Sequence, residues 1–359
     1  MAQLDSIFIS RSIEEIPPAL TFICEALAQC RHLTKVDFSS NAFGVRTVQP
    51  IASLLSTRLS LTVVKLANNG LNPEGGRLVA ESLVQAANKR KELGQPPTLR
   101  VLILSRNRLG DGSASAWAEA ISANSGLQCF EISNAGLRED GILALASALV
   151  RCRDLTRLRL RDNVVANADS REGKRGWKAI SDVIRAARNL EYLDVSACFL
   201  QDDGCQEVID ALGEHPYARL HTIRLDTNDF GERHYARLQT VVSSTLPALR
   251  SLNLTGNEDL EGGLALDAVS ETLANRGGNL ELEDDDTDDE AEEDDEDVEG
   301  EERSPKRTEE DAKVEELADL ITLNLTIKVS SMFALFMPAN SSSRMNDAHA
   351  AFVCRMETL

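Results

Sequence analysis

Nine times between Leu4 and Leu249 the chain returns to the spacing L-x-x-L-x-L, with Val, Ile or Phe standing in at some places. The segments begin at Leu4, Leu33, Leu61, Leu99, Leu127, Leu155, Leu190, Leu220 and Leu249, spaced 28 to 38 residues apart. Apolar alternation this short is the pattern of a strand that is buried on one face. Between the segments, stretches such as GGRLVAESLVQAA (75–87) and GILALASALVR (141–151) place apolar residues at i, i+3, i+4 and i+7, one stripe of a helix. No single strand–helix unit can bury its apolar side alone. Stacking like units in parallel does so, and a repeating chain has little other choice.

The fuller template, L-x-x-L-x-L-x-x-N/C-x-L, is that of the leucine-rich repeat. The expected fold is therefore an α/β leucine-rich-repeat solenoid over about residues 1–280, a horseshoe of the ribonuclease-inhibitor kind. Its parallel strands would line the concave side and its helices the convex side. Two units are long. One carries extra residues around NKRKELGQPPT (88–98), read as a loop after its helix because of Pro96 and Pro97. The other carries ANADSREGK (166–174) between strand and helix. With Met1 three residues before the first segment, a cap over the leading edge strand is expected to be missing, and the natural start to lie further upstream.

The ninth column of the template holds Asn41, Asn69, Asn107, Asn163, Asn228 and Asn257, with Cys198 as the permitted variant and Ser12 and Ala135 as lapses. An asparagine there turns inward and bonds the backbone groups that a curving strand leaves unpaired, so this column reads as a structural ladder. The eighth column holds Arg11, Ser40, Asn68, Arg106, Asn134, Asp162, Ala197, Thr227 and Gly256. The ladder makes no evident demand on it, yet its first six members are polar. Stacked strands would align them along one rim, where Arg and Asn donors suit a polar partner surface. Polar residues are also ordinary at turns, which is the structural alternative.

Charge narrows the partners. The net charge is −20, but residues 281–302 contribute seventeen Asp and Glu with no Lys or Arg, leaving −3 for the remainder. An acidic segment (281–308) of disordered composition is expected, followed by a short helix and an unassigned tail (309–359). This balance argues against nucleic acid and anionic membrane as partners. The apolar stretch 320–337 is interrupted by Asn324, Lys328, Ser330 and Ser331, so no membrane span is expected. Seven scattered cysteines without a CxxC pair suggest a reducing, intracellular setting and no zinc site. Nucleotide-binding, zinc-protease and hydrolase-elbow motifs are all missing, so neither an intrinsic active site nor a cofactor is expected.

Several stretches together resemble one family. SSNAFG (39–44), NNGLNPEGG (68–76), PPTLR (96–100), SRNRLGDGSASAWA (105–118), FISRSIEEIPPAL (8–20) and EEDAKVEELADLI (309–321) are similar to the Ran GTPase-activating proteins, leucine-rich-repeat horseshoes followed by acid. The resemblance runs from about Leu4 to Ile321. It implies binding to the GTP form of the small GTPase Ran and stimulation of its hydrolysis in nucleocytoplasmic transport, in the cytoplasm or at the nuclear envelope, with Ran-binding accessory proteins as further partners. The arginine this family needs aligns with Arg11 and the asparagine of its NNGL turn with Asn68, while Arg106 reads as a charged rim contact. The family inserts no arginine finger; it steadies the GTPase's own switch regions and catalytic glutamine. Family members carry about two repeats before the segment where this chain begins. The competing expectation is a non-catalytic repeat scaffold or inhibitor that binds another protein over many strands.

Overall fold

In the computed structural model of the protein, the described residues are 1–8, 14–41, 43–165, 174–260 and 263–283. Met1–Asp284 form one compact unit, and a second, Asp285–Leu359, lies outside the described residues. Outside them too fall Arg11, most of the 166–174 insertion, nearly all of the acidic segment and the tail beyond it.

The unit is a leucine-rich-repeat solenoid. Ten strands form one open, wholly parallel sheet in chain order. They are β1 (Ala2–Gln3), β2 (Lys35–Asp37), β3 (Val63–Lys65), β4 (Val101–Ile103), β5 (Cys129–Glu131), β6 (Arg157–Arg159), β7 (Tyr192–Asp194), β8 (Thr222–Arg224), β9 (Ser251–Asn253) and β10 (Asn279–Glu281). The helices between them are α1 (Ile16–Gln29), α2 (Val48–Thr57), α3 (Pro73–Glu92), α4 (Gly110–Ala123), α5 (Glu139–Leu149), α6 (Lys174–Ala186), α7 (Gln201–Gly213), α8 (Tyr235–Ser244) and α9 (Leu264–Ala274). Pairing puts like positions of the template side by side: Val36 with Val64, Val64 with Leu102, Leu102 with Phe130, and onward to Leu252 with Leu280. From Val36 to Leu252 every member of this row is buried. Each such side chain withdrawn from water stabilises the stack by roughly 1.5–3 kcal/mol.

Three local readings change. The first repeat is registered five residues earlier than Leu4 suggested, because Ala2 pairs with Val36 and Leu4 donates its N–H to the Asp37 carbonyl (2.8 Å). Leu4 is thus the third apolar position of its repeat and not the first. A tenth strand, β10, follows the last full segment; Gly277 stands where the template asks for leucine. Glu281, where the acidic run begins, is the last residue of that strand. Finally, residues 88–92 are not loop but the end of α3. Lys, Arg and Glu are good helix formers, and this last turn is tied down: Lys89 donates to the Ser56 carbonyl (2.9 Å), and Arg90 to those of Leu59 (2.7 Å) and Pro96 (2.6 Å).

The helix side has its own close fits. Trp177 of α6 is fully buried and lies flat against Gly204 of α7, where a Cβ would stand within 2.7 Å of three ring atoms. Neither a buried indole nor two packed helices can yield that much without opening a gap elsewhere. Gly204→Ala is therefore expected to destabilise by about 1–3 kcal/mol, seen as a lower melting temperature with an unchanged circular dichroism spectrum.

Candidate functional site

The strand face is densely charged, and its charges answer one another. Lys65 pairs with Asp37 (3.8 Å), Arg159 with Asp194 (3.0 Å) and Arg161 with Asp226 (3.9 Å), while Arg157 pairs with Glu131 and lies 3.9 Å over the Tyr192 ring. Asp194 is wholly buried and also accepts from the backbone N–H (3.1 Å) and hydroxyl (2.6 Å) of Ser196. Burial pushes the Asp37 and Asp226 carboxyls above the usual range, against the pull of their basic partners. The thiols follow the same logic. Burial pushes Cys24 up to about 12 and Cys152 up to about 11, so both are protonated at neutral pH. Among the described residues no group of His, Cys and carboxylates is arranged to hold a metal ion.

The edge at which the strands end is different. There the ninth-column asparagines turn inward and form a ladder. Asn69 donates to the carbonyls of Phe38 (2.9 Å) and Ala67 (3.2 Å) and accepts from the Asn41 N–H (3.0 Å). Asn107 accepts from the N–H groups of Asn69 (3.1 Å) and Leu71 (3.0 Å) and donates to the carbonyls of Leu66 and Leu104. Asn41, Asn163, Asn228 and Asn257 repeat the scheme. Cys198 keeps only part of it, its thiol donating to the Leu160 carbonyl (3.3 Å). Each amide side chain thus satisfies backbone groups of two adjacent repeats.

One residue earlier the chain does the opposite. Ser40, Asn68, Arg106, Asn134, Asp162, Ala197 and Thr227 have φ between 46° and 57°, and Gly256 has 67°. All lie in the left-handed region, and all are exposed or half-exposed. In each of the seven that are not glycine, the N–H donates to the seventh-column carbonyl of the next repeat, as Asn68 does to Ser105 (2.9 Å) and Arg106 to Ser133 (2.7 Å). The eighth column is therefore under a backbone demand that spacing did not reveal. The left-handed turn is what throws its side chains outward while the next residue is folded in. In the first repeat this place belongs to Ser6 (φ 56°), whose N–H donates to the Ser39 carbonyl (3.0 Å), and not to Arg11.

Asn68 is fixed by its neighbours. Behind it Asn69 is locked in the ladder, and Gly70 (φ 64°) permits the second left-handed step. Leu71 is buried, and Asn72 caps α3 by accepting from the Gly75 N–H (2.9 Å), with Pro73 in the first turn. The Asn68 side chain itself makes one long hydrogen bond, to the Ser40 hydroxyl (3.4 Å). Its amide is otherwise open to solvent, about one strand spacing, roughly 4.8 Å, from the Arg106 turn. Asn68, Arg106, Asn134 and Asp162 form a row of an amide, a guanidinium, an amide and a carboxylate on a rigid edge.

Arginine is a costly choice at φ 57°. Unlike Asn, it gains no local hydrogen bond there to offset the crowding of its Cβ. Arg106→Gly relieves strain of about 1–2 kcal/mol against about 0.5–1 kcal/mol of extra backbone entropy lost by glycine, so a small net gain in stability is expected, measured by denaturant unfolding. An unchanged midpoint would mean that the strain relieved is no larger than the entropy glycine costs.

Comparison with known proteins bears on what such an edge is for. A family model described as Leucine Rich repeat matches residues 29–52 and 95–116. The chain is 30% identical over 270 residues to Ran GTPase-activating protein 1 of Saccharomyces cerevisiae, covering 74% of this chain and 63% of that protein. It is 29% identical over 283 residues to the Ran GTPase-activating protein of Drosophila melanogaster, covering 71% of this chain and 47% of that protein. Over a shorter span of 116 residues it is 38% identical to Ran GTPase-activating protein 1 of Xenopus laevis, 32% of this chain and 20% of that protein. The chain thus spans less than two thirds of the length of each of these relatives.

Proposed function

This leucine-rich-repeat chain is a relative of the Ran GTPase-activating proteins, and from that premise we propose that it binds the GTP form of Ran and speeds Ran's own hydrolysis, using the eighth-column edge. The observation that carries this reading is the coincidence at Asn68. The turn asparagine on which the family resemblance rests is also the exposed member of an Asn pair, held in the left-handed region on the accessible edge. Phosphoryl transfer asks mostly for positioning and for charge placed where it develops. A preorganised rim supplies the first without reorganising. Its backbone is pinned by the ladder, and its amide and guanidinium donors project from consecutive strands. In this mechanism Asn68 steadies the GTPase's catalytic glutamine and attacking water, Arg106 holds the surface beside them, and Arg11, five residues before α1 in the sequence, is the further contributor that the family resemblance implies. The hydrolytic machinery belongs to the partner, so the chain acts as an activator with no active site or cofactor of its own.

The work proposed for it is to return Ran to its GDP form in nucleocytoplasmic transport, in the cytoplasm or at the nuclear envelope, with Ran-binding accessory proteins as further partners. Among the described residues no helix is long and apolar enough to cross a membrane. The test is single-turnover hydrolysis by Ran loaded with GTP, with and without the chain at micromolar concentration. Acceleration by several orders of magnitude is expected, on the scale of the roughly 10⁵-fold known for an activated GTPase. Tight binding without acceleration would instead favour a scaffold or inhibitor.

A further inference from the structure

The opposite edge of the sheet, where strands begin, carries a second feature that the GTPase reading does not use. A cavity of about 570 Å³ opens there, lined by Arg219, His221, Pro247, Ala248, Arg250 and Arg276. Arg219 and His221 precede β8, Arg250 precedes β9 and Arg276 precedes β10, so three successive turns each bring one guanidinium to a single concavity. The eighth-column residues Thr227 and Gly256 follow the same strands, which puts the two features at opposite strand ends.

The three arginines are not equally committed. Arg219 is paired with Glu191. Arg276 donates to the carbonyls of Leu246 (2.7 Å) and Val242 (3.1 Å) at the end of α8, which fixes its plane and leaves three of its five N–H groups to spare. Arg250 is exposed, and its guanidinium has no hydrogen-bond or ion-pair partner among the described residues. His221 uses Nδ1 toward the Thr222 hydroxyl (2.9 Å), leaving Nε2 free to face a ligand. Pro247 and Ala248 supply an apolar wall without acid.

We propose that this cavity is an oxyanion site that takes a phosphate group. A planar carboxylate is matched by one guanidinium fork. Donors arriving from three turns and an imidazole suit a tetrahedral anion, whose oxygens point in as many directions. The shared chemistry is a phosphate mono- or dianion, borne either by a small free phosphate or by a phosphorylated side chain of a partner protein.

The full chain is titrated by calorimetry with inorganic phosphate at matched ionic strength, with a short phosphoserine peptide, and with the same peptide unphosphorylated. Saturable binding of phosphate or of the phosphopeptide, but not of the unmodified peptide, is the expected result. Arg250→Gln should weaken it about tenfold, the worth of one charge-assisted contact. Arg77→Gln, a charge removed from the exposed face of α3, should leave it unchanged. A phosphopeptide that binds at least ten times tighter than inorganic phosphate assigns the site to a modified protein, and equal affinity assigns it to a small anion. No saturation by either probe, equal binding of both peptides, or equal weakening by both variants overturns the proposal. Folding of the variants is checked by circular dichroism, and among the described residues the Arg250 guanidinium has no partner whose loss would confuse the outcome.

Discussion

Replacing Asn68 by glycine is expected to lower stimulation of GTP hydrolysis on Ran by about 10²–10³-fold, the usual cost of removing one preorganised donor, while the melting temperature stays level or rises slightly. Glycine is the informative substitution because of the backbone. Asn68 sits at φ 52°, where glycine is at ease and alanine is strained by about 1–2 kcal/mol. An alanine variant would confound the loss of the amide with distortion of the turn, and glycine removes the side chain alone. Little else is lost with it, since the amide's one hydrogen bond is the 3.4 Å contact to the exposed rim hydroxyl of Ser40. Single-turnover rates beside a thermal melt separate the two effects. A glycine variant as active as the parent would remove Asn68 from the mechanism.

The neighbouring residue should behave in the reverse way. Asn69→Ala is expected to unfold the protein more readily, at about 1–3 kcal/mol for each buried partner left unmet. The buried Asn41 N–H loses its partner with no water to turn to, and the buried Phe38 carbonyl keeps only the Asn41 side-chain amide. Below its melting transition the variant should still stimulate hydrolysis, because the exposed row remains in place. Asn69→Cys should fall between the two. Cys198 shows that a thiol in this column keeps a contact with a carbonyl of the preceding strand. Urea unfolding of the three forms measures the order directly.

How much of this was legible in the chain follows from which features are periodic. The buried row from Val36 to Leu252 and the asparagine ladder repeat in residue type, so spacing reveals them. The eighth column repeats in conformation and not in chemistry. Ser40, Arg106, Asp162 and Ala197 share a left-handed backbone that only Asn, Asp and Gly hint at in a sequence. The strand exit therefore looked undemanding when it is tightly constrained. At the leading edge, Leu4, Ile7 and Ile9 satisfy the apolar template one way and Ala2 with Leu4 another. The pairing of Ala2 with Val36 and the hydrogen bonds from Leu4 to Asp37 and from Ser6 to Ser39 decide between them. That decision takes the first-repeat place from Arg11, whose alignment with the family stands apart from the column. The charged end of α3 reads as loop by composition, because two of the three carbonyls that hold Lys89 and Arg90, those of Ser56 and Leu59, lie about thirty residues away. The basic cavity escapes a linear reading altogether. Its arginines are spread from Arg219 to Arg276, and the repeat alone brings them to one place.

Hydrogen–deuterium exchange on the chain, alone and bound to Ran carrying a non-hydrolysable GTP analogue, tests most directly whether the outward-turned edge is the face that meets the GTPase. Slowed exchange is predicted in the turns at Ser40, Asn68, Arg106 and Asn134, with the opposite edge at Arg219 and Arg250 unaffected. Protection confined to the helices or to that opposite edge, with the turns at Asn68 and Arg106 exchanging as freely as in the unbound chain, would contradict it.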